Sequence, residues 1–398
     1  MEGEKLSKIK KTTLIILLII FVVILLIILL MVSYRNSNFS GEDEYQKNRH
    51  ENDNAKMPIY TTIYFNDIDF RFFMNDFKGK MNNLIKSHFK NNHKTRQEIL
   101  DTYEIKEEDE DEKSMDNLDK LWNRFHVKNP PILLVKYNSD KKRVTIIKDH
   151  RYFGGLFFLK MGGEITDSKP VTIYNEQYTP ILSELLMLRF GLFWYTKNNK
   201  SKITMNPKNK IERVNFSLNF NSVKTDFKVR KQTIVMVEIL KLVSNSLTIN
   251  EKNLNVLTPI AFESTTKNYN NVGGIFTKYE NKDTYKTYEN KLKDNKYQAI
   301  ATNNLQKIMS KGKDARNSID VVFTCGCLVP NDKNNNKSSI IKSSMTSYLS
   351  VAHYPIYIVA MTMGDKCFVT ITIMTENISL KKLENEIYFN KNISKIDI

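Results

Sequence analysis

A β-branched run that ends in a single histidine constrains this chain more than any other stretch. Arg143-Val-Thr-Ile-Ile-Lys-Asp149 has strand character and delivers His150 to a strand end, with Gly154 and Gly155 following closely. Glycine is scarce, 13 in 398 residues, so a doublet beside a histidine is not background. Histidine is the side chain best suited to moving protons near neutral pH. Paired glycines let the backbone turn sharply and leave room beside an imidazole for a reactant. A histidine merely held by a neighbour at a hairpin end is the alternative reading of this window alone.

The surrounding pattern mixes strands and helices. Pro58 to Phe73 has strand character, and an amphipathic helix is expected near Phe77 to Phe89. Ile132 to Tyr137, a turn at Asn138-Ser-Asp140 and Arg143 to Lys148 read as a hairpin feeding His150. Lys106 to Lys113 is a charge block suited only to solvent. Pro180 to Tyr195 reads as a long apolar helix, either core or a membrane-docking or acyl-lining surface. Past a polar linker at Asn198 to Lys210, strands are expected at Val214–Phe220, Asn253–Phe262, Ser318–Leu328, Ile356–Met361 and Lys366–Met374. The last two form a hairpin over Gly364-Asp365, and helices cover Gln232–Leu247 and Tyr285–Ser310. The expectation is an α/β (α+β) protein of two lobes, residues 57–200 and 211–398.

Leu14 to Val32 is an unbroken apolar run whose length suits the roughly 20 residues that cross a bilayer. It has no small-residue cleavage site after it, so a single transmembrane helix over 14–33 is expected, with a polar stalk at 34–56. Lys5, Lys8, Lys10 and Lys11 make residues 1–13 a basic N-terminus, cytosolic by the positive-inside rule. The lobes would then face outside or a lumen, where sequons such as Asn199 and Asn215 are usable. The net charge of +16 lacks a basic stripe interleaved with aromatics, so lipid headgroups are a better expected partner than nucleic acid. Cys325, Cys327 and Cys367 make neither a disulfide framework nor a zinc hook, and no metal site is expected. The chain has no Walker loop, GxSxG elbow, HExxH or dinucleotide fingerprint.

Taken in order, these features resemble the CoA-dependent acyltransferase superfamily. Its members share the chloramphenicol acetyltransferase-like fold, and condensation domains and the wax ester synthase/diacylglycerol acyltransferase group are among them. The family motif HHxxxDG would read here Asp149-His150-Arg-Tyr-Phe-Gly154-Gly155. Leu121-Trp122-Asn-Arg124 looks like the family segment before the hairpin, and Asn255 to Phe262 with Asn271-Val-Gly273-Gly274 is similar to its strand and glycine turn. Ser318 to Thr324 sits where the family has its "SN" strand, and Tyr354 through Thr370 resembles the closing hairpin.

The resemblance implies a two-lobed fold and direct acyl transfer, with acyl-CoA as co-substrate, no resident cofactor, and a tunnel between the lobes. It makes His150 the general base, Thr324 the nearest candidate to steady the oxyanion, and Asp149, Gly154, Gly155, Asn271, Gly273 and Gly274 tunnel or motif positions. A membrane lipid or alcohol would be the acceptor. Two departures stand out. Asp149 replaces the first motif histidine, and Gly154 replaces the aspartate that in the family fixes the loop. A catalytically inactive descendant with a structural role at a membrane is therefore the competing reading.

Overall fold

The computed structural model describes residues 13–28, 58–65, 70–89, 93–107, 133–140, 143–149, 153, 155–166, 168–170, 198–205, 212–219, 229–261, 272–295, 318–330, 340–347 and 354–395. Residues 1–53 and 54–398 form two separate units. In the first, residues 13–28 are a helix (α1) whose apolar side chains are exposed. At 1.5 Å per residue the described stretch spans less than a hydrocarbon core of about 30 Å. Among the described residues no helix is long and apolar enough to cross a membrane.

The second unit is built on two sheets. Strands β1 (Pro58–Phe65), β2 (Glu104–Glu107), β3 (Leu133–Asn138), β4 (Arg143–Asp149) and β10 (Ile340–Ser347) make a five-stranded sheet in the order β10-β1-β4-β3-β2. Helices α2 (Phe70–His88), α3 (His93–Thr102) and α4 (Gly155–Thr166) accompany it. The second sheet runs β13-β6-β12-β11-β9-β7-β8, from β6 (Glu212–Asn219), β7 (Leu254–Ala261), β8 (Val272–Tyr279), β9 (Val321–Pro330), β11 (Ile356–Met363), β12 (Lys366–Ile373) and β13 (Ile393–Lys395). Helices α5 (Lys231–Ser246), α6 (Tyr285–Asp294) and α7 (Leu380–Phe389) belong to this half. The hairpin over Gly364 forms as its sequence implies, with that glycine at φ +54°.

Each half lends a strand to the other. β10 lies beyond the linker yet pairs with β1, and the short β5 (Ser168–Pro170) pairs with β9. The polar segment at 198–205 is also tied down. Asp320 accepts hydrogen bonds from Ser201 Oγ and, at 2.7 Å, from the Asn255 backbone, and Thr204 donates to Asn377.

Two apolar clusters divide the packing. One lies between α5 and the side of the second sheet bearing Phe216, Ala360 and Val369. α5 is buried on nearly all sides because β-branched residues fill several of its faces, and the Glu289 carboxylate accepts the Arg230 backbone N–H at its start. The other cluster joins Ile63, Val144 and Ile146 to α2 and α4, and then to Leu328, Met361 and Phe368 on the opposite side of the second sheet.

Glycine makes that second contact possible. A methyl group on Gly326 of β9 would sit 2.6 Å from Leu159 Cδ2 of α4, and one on Gly162 would sit 3.2 Å from Leu328 Cδ1. On Gly163 it would lie 2.5 Å from the Ser168 carbonyl oxygen, a backbone atom that cannot swing away. Gly163→Ala is therefore expected to lower stability by about 1–3 kcal/mol through overpacking. Gly79→Ala, in α2 with open space around it, is expected to raise stability by about 0.5–1 kcal/mol. Urea midpoints of the two variants against wild type check this, and equal shifts would refute the close approach.

Candidate active site

β4 is the central strand that carries the candidate site. Lys148 pairs with Ile59 of β1 and Leu133 of β3, and Asp149 closes the strand opposite Pro58. His150, Arg151, Tyr152 and Gly154 lie outside the described residues, and so does Asn271. The chain is described again at Phe153, fully buried against Phe89 and Phe157, with ring centroids 5.8 and 4.4 Å away. The segment bearing His150 is thus held at both ends, by a sheet and by an aromatic cluster.

A lysine at its base was not anticipated from sequence. Lys148 is only 2% exposed, on the same side of β4 as Val144 and Ile146. Its Nζ donates to the Phe153 carbonyl at 3.3 Å and lies 4.7 Å from the centre of the Phe158 ring. One hydrogen bond therefore spans the histidine segment, from the last core position of β4 to the residue before Gly154. Burial disfavours the ammonium form and pushes the Lys148 pKa down to about 7. The strand pattern marks Lys148 as inward-facing, but a lysine in alternating sequence reads as solvent-facing until the helix above it is known.

The glycines sort differently from the sequence expectation. Gly155 is the first residue of α4, with room for a methyl group, so it opens a helix rather than making a sharp turn. Gly273 and Gly274 are strand residues of β8, paired with Ile260 and Pro259, not a turn. β7 pairs with β9 only at Val256 and Leu257, so Pro259, which has no N–H to donate, falls beyond that ladder. The long apolar helix expected over Pro180–Tyr195 lies outside the described residues.

Thr324 lies in β9 on the side that packs against α4 one step further along, at Gly326 and Leu328. It is half-buried, with Oγ1 3.4 Å from the Tyr357 hydroxyl. Pairing registers extend this side across the sheet. One row runs Thr324, Val359, Thr370, Asn215, and the next runs Val322, Tyr357, Thr372, Arg213. Thr370 Oγ1 donates to Asn215 Oδ1 at 2.8 Å. The other side is mostly apolar, whereas this side carries a polar floor.

The cysteines add no chemistry to the floor. Burial raises the thiol pKa of Cys325 and Cys327 and pushes that of Cys367 up to about 12. Cys327 and Cys367 flank Thr362 on adjoining strands, two strand spacings or about 10 Å apart, beyond disulfide reach. Among the described residues no group of His, Cys, Asp or Glu could hold a metal ion.

No protein-family model matches the chain, and no curated protein sequence matches it. Solved structures do. A trichothecene 15-O-acetyltransferase from Fusarium sporotrichioides superposes with a TM-score of 0.54 at 9% identity, over 86% of this chain and 92% of that one. The starter condensation domain of rhizomide synthetase, in complex with C8-CoA and Leu-SNAC, superposes with a TM-score of 0.53 at 7% identity, over 87% and 90%. The fold is therefore the one shared by that acetyltransferase and that condensation domain, across most of the chain.

Lys148 gives this site a pH signature. Its folded pKa lies below the ordinary 10.5, so the unfolded chain binds more protons between pH 7 and about 10. Stability from this group is complete above the unfolded pKa and is lost as pH falls towards 7, by at most about 1.4 kcal/mol per pH unit. Wild type is expected to gain stability from pH 7 to pH 9 relative to Lys148→Met, measured by urea denaturation. Parallel pH profiles for the two proteins would show that the lysine is not desolvated.

Proposed function

We propose that this protein transfers an acyl group from acyl-CoA to a hydroxyl acceptor, a lipid or alcohol, with His150 as general base. The observation that carries the reading is the pairing of this fold with a histidine placed directly after β4 and before α4. The acceptor hydroxyl attacks the thioester carbonyl while the imidazole takes its proton. The carbon–sulfur bond then breaks, and the same proton goes to the departing thiolate. Base catalysis of this kind contributes roughly 10²–10⁴-fold. Thr324, with its hydroxyl directed among the polar groups of β9 and β11, is the residue proposed to steady the oxyanion. The loop that the family aspartate would fix is tied instead by Lys148 to the Phe153 carbonyl, so its loss at Gly154 leaves a tether in place.

Residues 14–33 are proposed as the membrane anchor, with the exposed apolar helix α1 as its described part. Lobes at 57–200 and 211–398 then work at a bilayer surface, which suits a lipidic acceptor. The altered motif, with Asp149 and Gly154 in place of His and Asp, favours a second reading: an inactive acyltransferase-fold protein with an interaction role at a membrane.

The test is transfer from octanoyl-CoA to a panel of alcohols, read as free CoA thiol released with matched ester formation. His150→Ala is expected to lower the rate by 10²–10⁴-fold without weakening octanoyl-CoA binding. A wild-type protein that neither binds octanoyl-CoA nor releases thiol ends the enzyme reading and leaves the second.

A further inference from the structure

Arg213 is the one described arginine whose guanidinium has a buried nitrogen and no hydrogen bond or ion pair to any described residue. It stands at the start of β6, half-buried, with Nε shut off from solvent. Buried donors are nearly always satisfied, and each exception calls for an explanation. Among the described residues opposite Arg213 in the sheet, none supplies a counter-charge. Across the strands lie Thr372 and then Tyr357, and one row along lie Asn215, Thr370 and Thr324.

Sheet geometry makes this placement informative. The opposite side of the same strands carries Val214, Phe216, Ile371 and Ile358, packed beneath α5. Arg213 is therefore on the polar side, and that side continues at Gly326 and Leu328 into the contact with α4. α4 follows the His150 segment directly. A cation, three threonines, an asparagine and a tyrosine thus share one floor with the helix that leaves the candidate catalytic loop. A planar guanidinium suits paired anionic oxygens better than any other side chain. Neighbouring hydroxyl and amide groups can complete the shell around such a group.

We infer that Arg213, assisted by Thr372 and Tyr357, binds the anionic oxygens of a carboxylate or phosphate on one of the reactants. The inference rests on the acyl-transfer reading for the identity of the reactants, but not for the existence of the site. It makes Arg213 a selector: a reactant with an acidic group satisfies the stranded nitrogen, and a neutral analogue leaves it unpaired.

Calorimetric titration of the full chain in non-ionic detergent tests it, with lactate, isopropanol, inorganic phosphate and octanoyl-CoA as probes. Wild type and Arg213→Gln are compared after their thermal midpoints are matched. A roughly ten- to hundredfold loss is expected on removing a charged hydrogen-bond donor. Loss for lactate alone assigns the site to an acid group on the acceptor. Loss for phosphate and octanoyl-CoA assigns it to the donor. Should Arg213→Gln fold poorly, Arg213→Lys keeps the charge without the planar fork and should show a smaller loss of the same kind. Equal affinities in wild type and both variants, or no binding of any anionic probe by wild type, overturn the inference. Arg213-dependent binding without acyl transfer keeps the subsite and removes the transfer reading. Transfer with affinities indifferent to Arg213 does the reverse.

Discussion

The close approach of α4 to β9 is the constraint on which the second unit depends. Gly162 on α4 and Gly326 on β9 remove the side chains that would hold the helix off, and Gly163 on α4 does the same towards β5. Two glycines inside one helix cost roughly 1–2 kcal/mol of helix propensity. Burial of Leu328, Met361 and Phe368 against Phe157 and Met161 offsets that cost and joins the two sheets through a shared cluster. The exchanged strands β5 and β10 reinforce the same junction from both directions. Because α4 begins where the His150 segment ends, the junction also decides where that segment is presented.

Much of this was legible in the sequence, for reasons that differ by element. Strands such as Ile356–Met363 and Lys366–Ile373 are rich in apolar residues and buried on both sides, and their turn is marked by Gly364. The hairpin into His150 shows itself through β-branched residues around Asn138-Ser-Asp140. The order of these pieces was enough to imply the superfamily fold. Strand exchange was not legible, because β5 has only Ser168-Lys-Pro170 and pairs with a partner some 160 residues away, without any local signal. The glycines misled for a related reason. Scarcity marked the Gly154-Gly155 doublet, and resemblance to a family turn marked Gly273 and Gly274, but sequence does not say whether a glycine serves a turn, a helix start or a strand. Gly162 and Gly163, which do meet close neighbours, carried no such mark.

Lys148 and Arg213 show why polar residues carry the functional information that a pattern cannot. Both occur in alternating strand sequence, where a basic residue ordinarily faces water. Lys148 instead sits against the Phe158 ring, where desolvation moves it towards the neutral form while its Nζ donates to the Phe153 carbonyl. Arginine cannot respond in that way, since its proton is not lost at any accessible pH. A partly buried arginine without a counter-ion therefore keeps its charge and the cost of holding it. The same fold thus handles two buried cations by different physics, one by titration and one by awaiting a ligand.

That difference bears on the decay of the motif. If the protein had become a pure scaffold, nothing would select against replacing Arg213 with an apolar residue of similar size, a change that commonly stabilises a buried site. The same holds for Lys148, whose burial costs stability at neutral pH where methionine would cost none. Asp149 and Gly154 depart from the family motif, whereas Lys148 immediately precedes the histidine segment and Arg213 stands on the polar side of the second sheet. Against the altered motif, which favours the inactive reading, the half-buried guanidinium of Arg213 is the observation that favours a bound reactant.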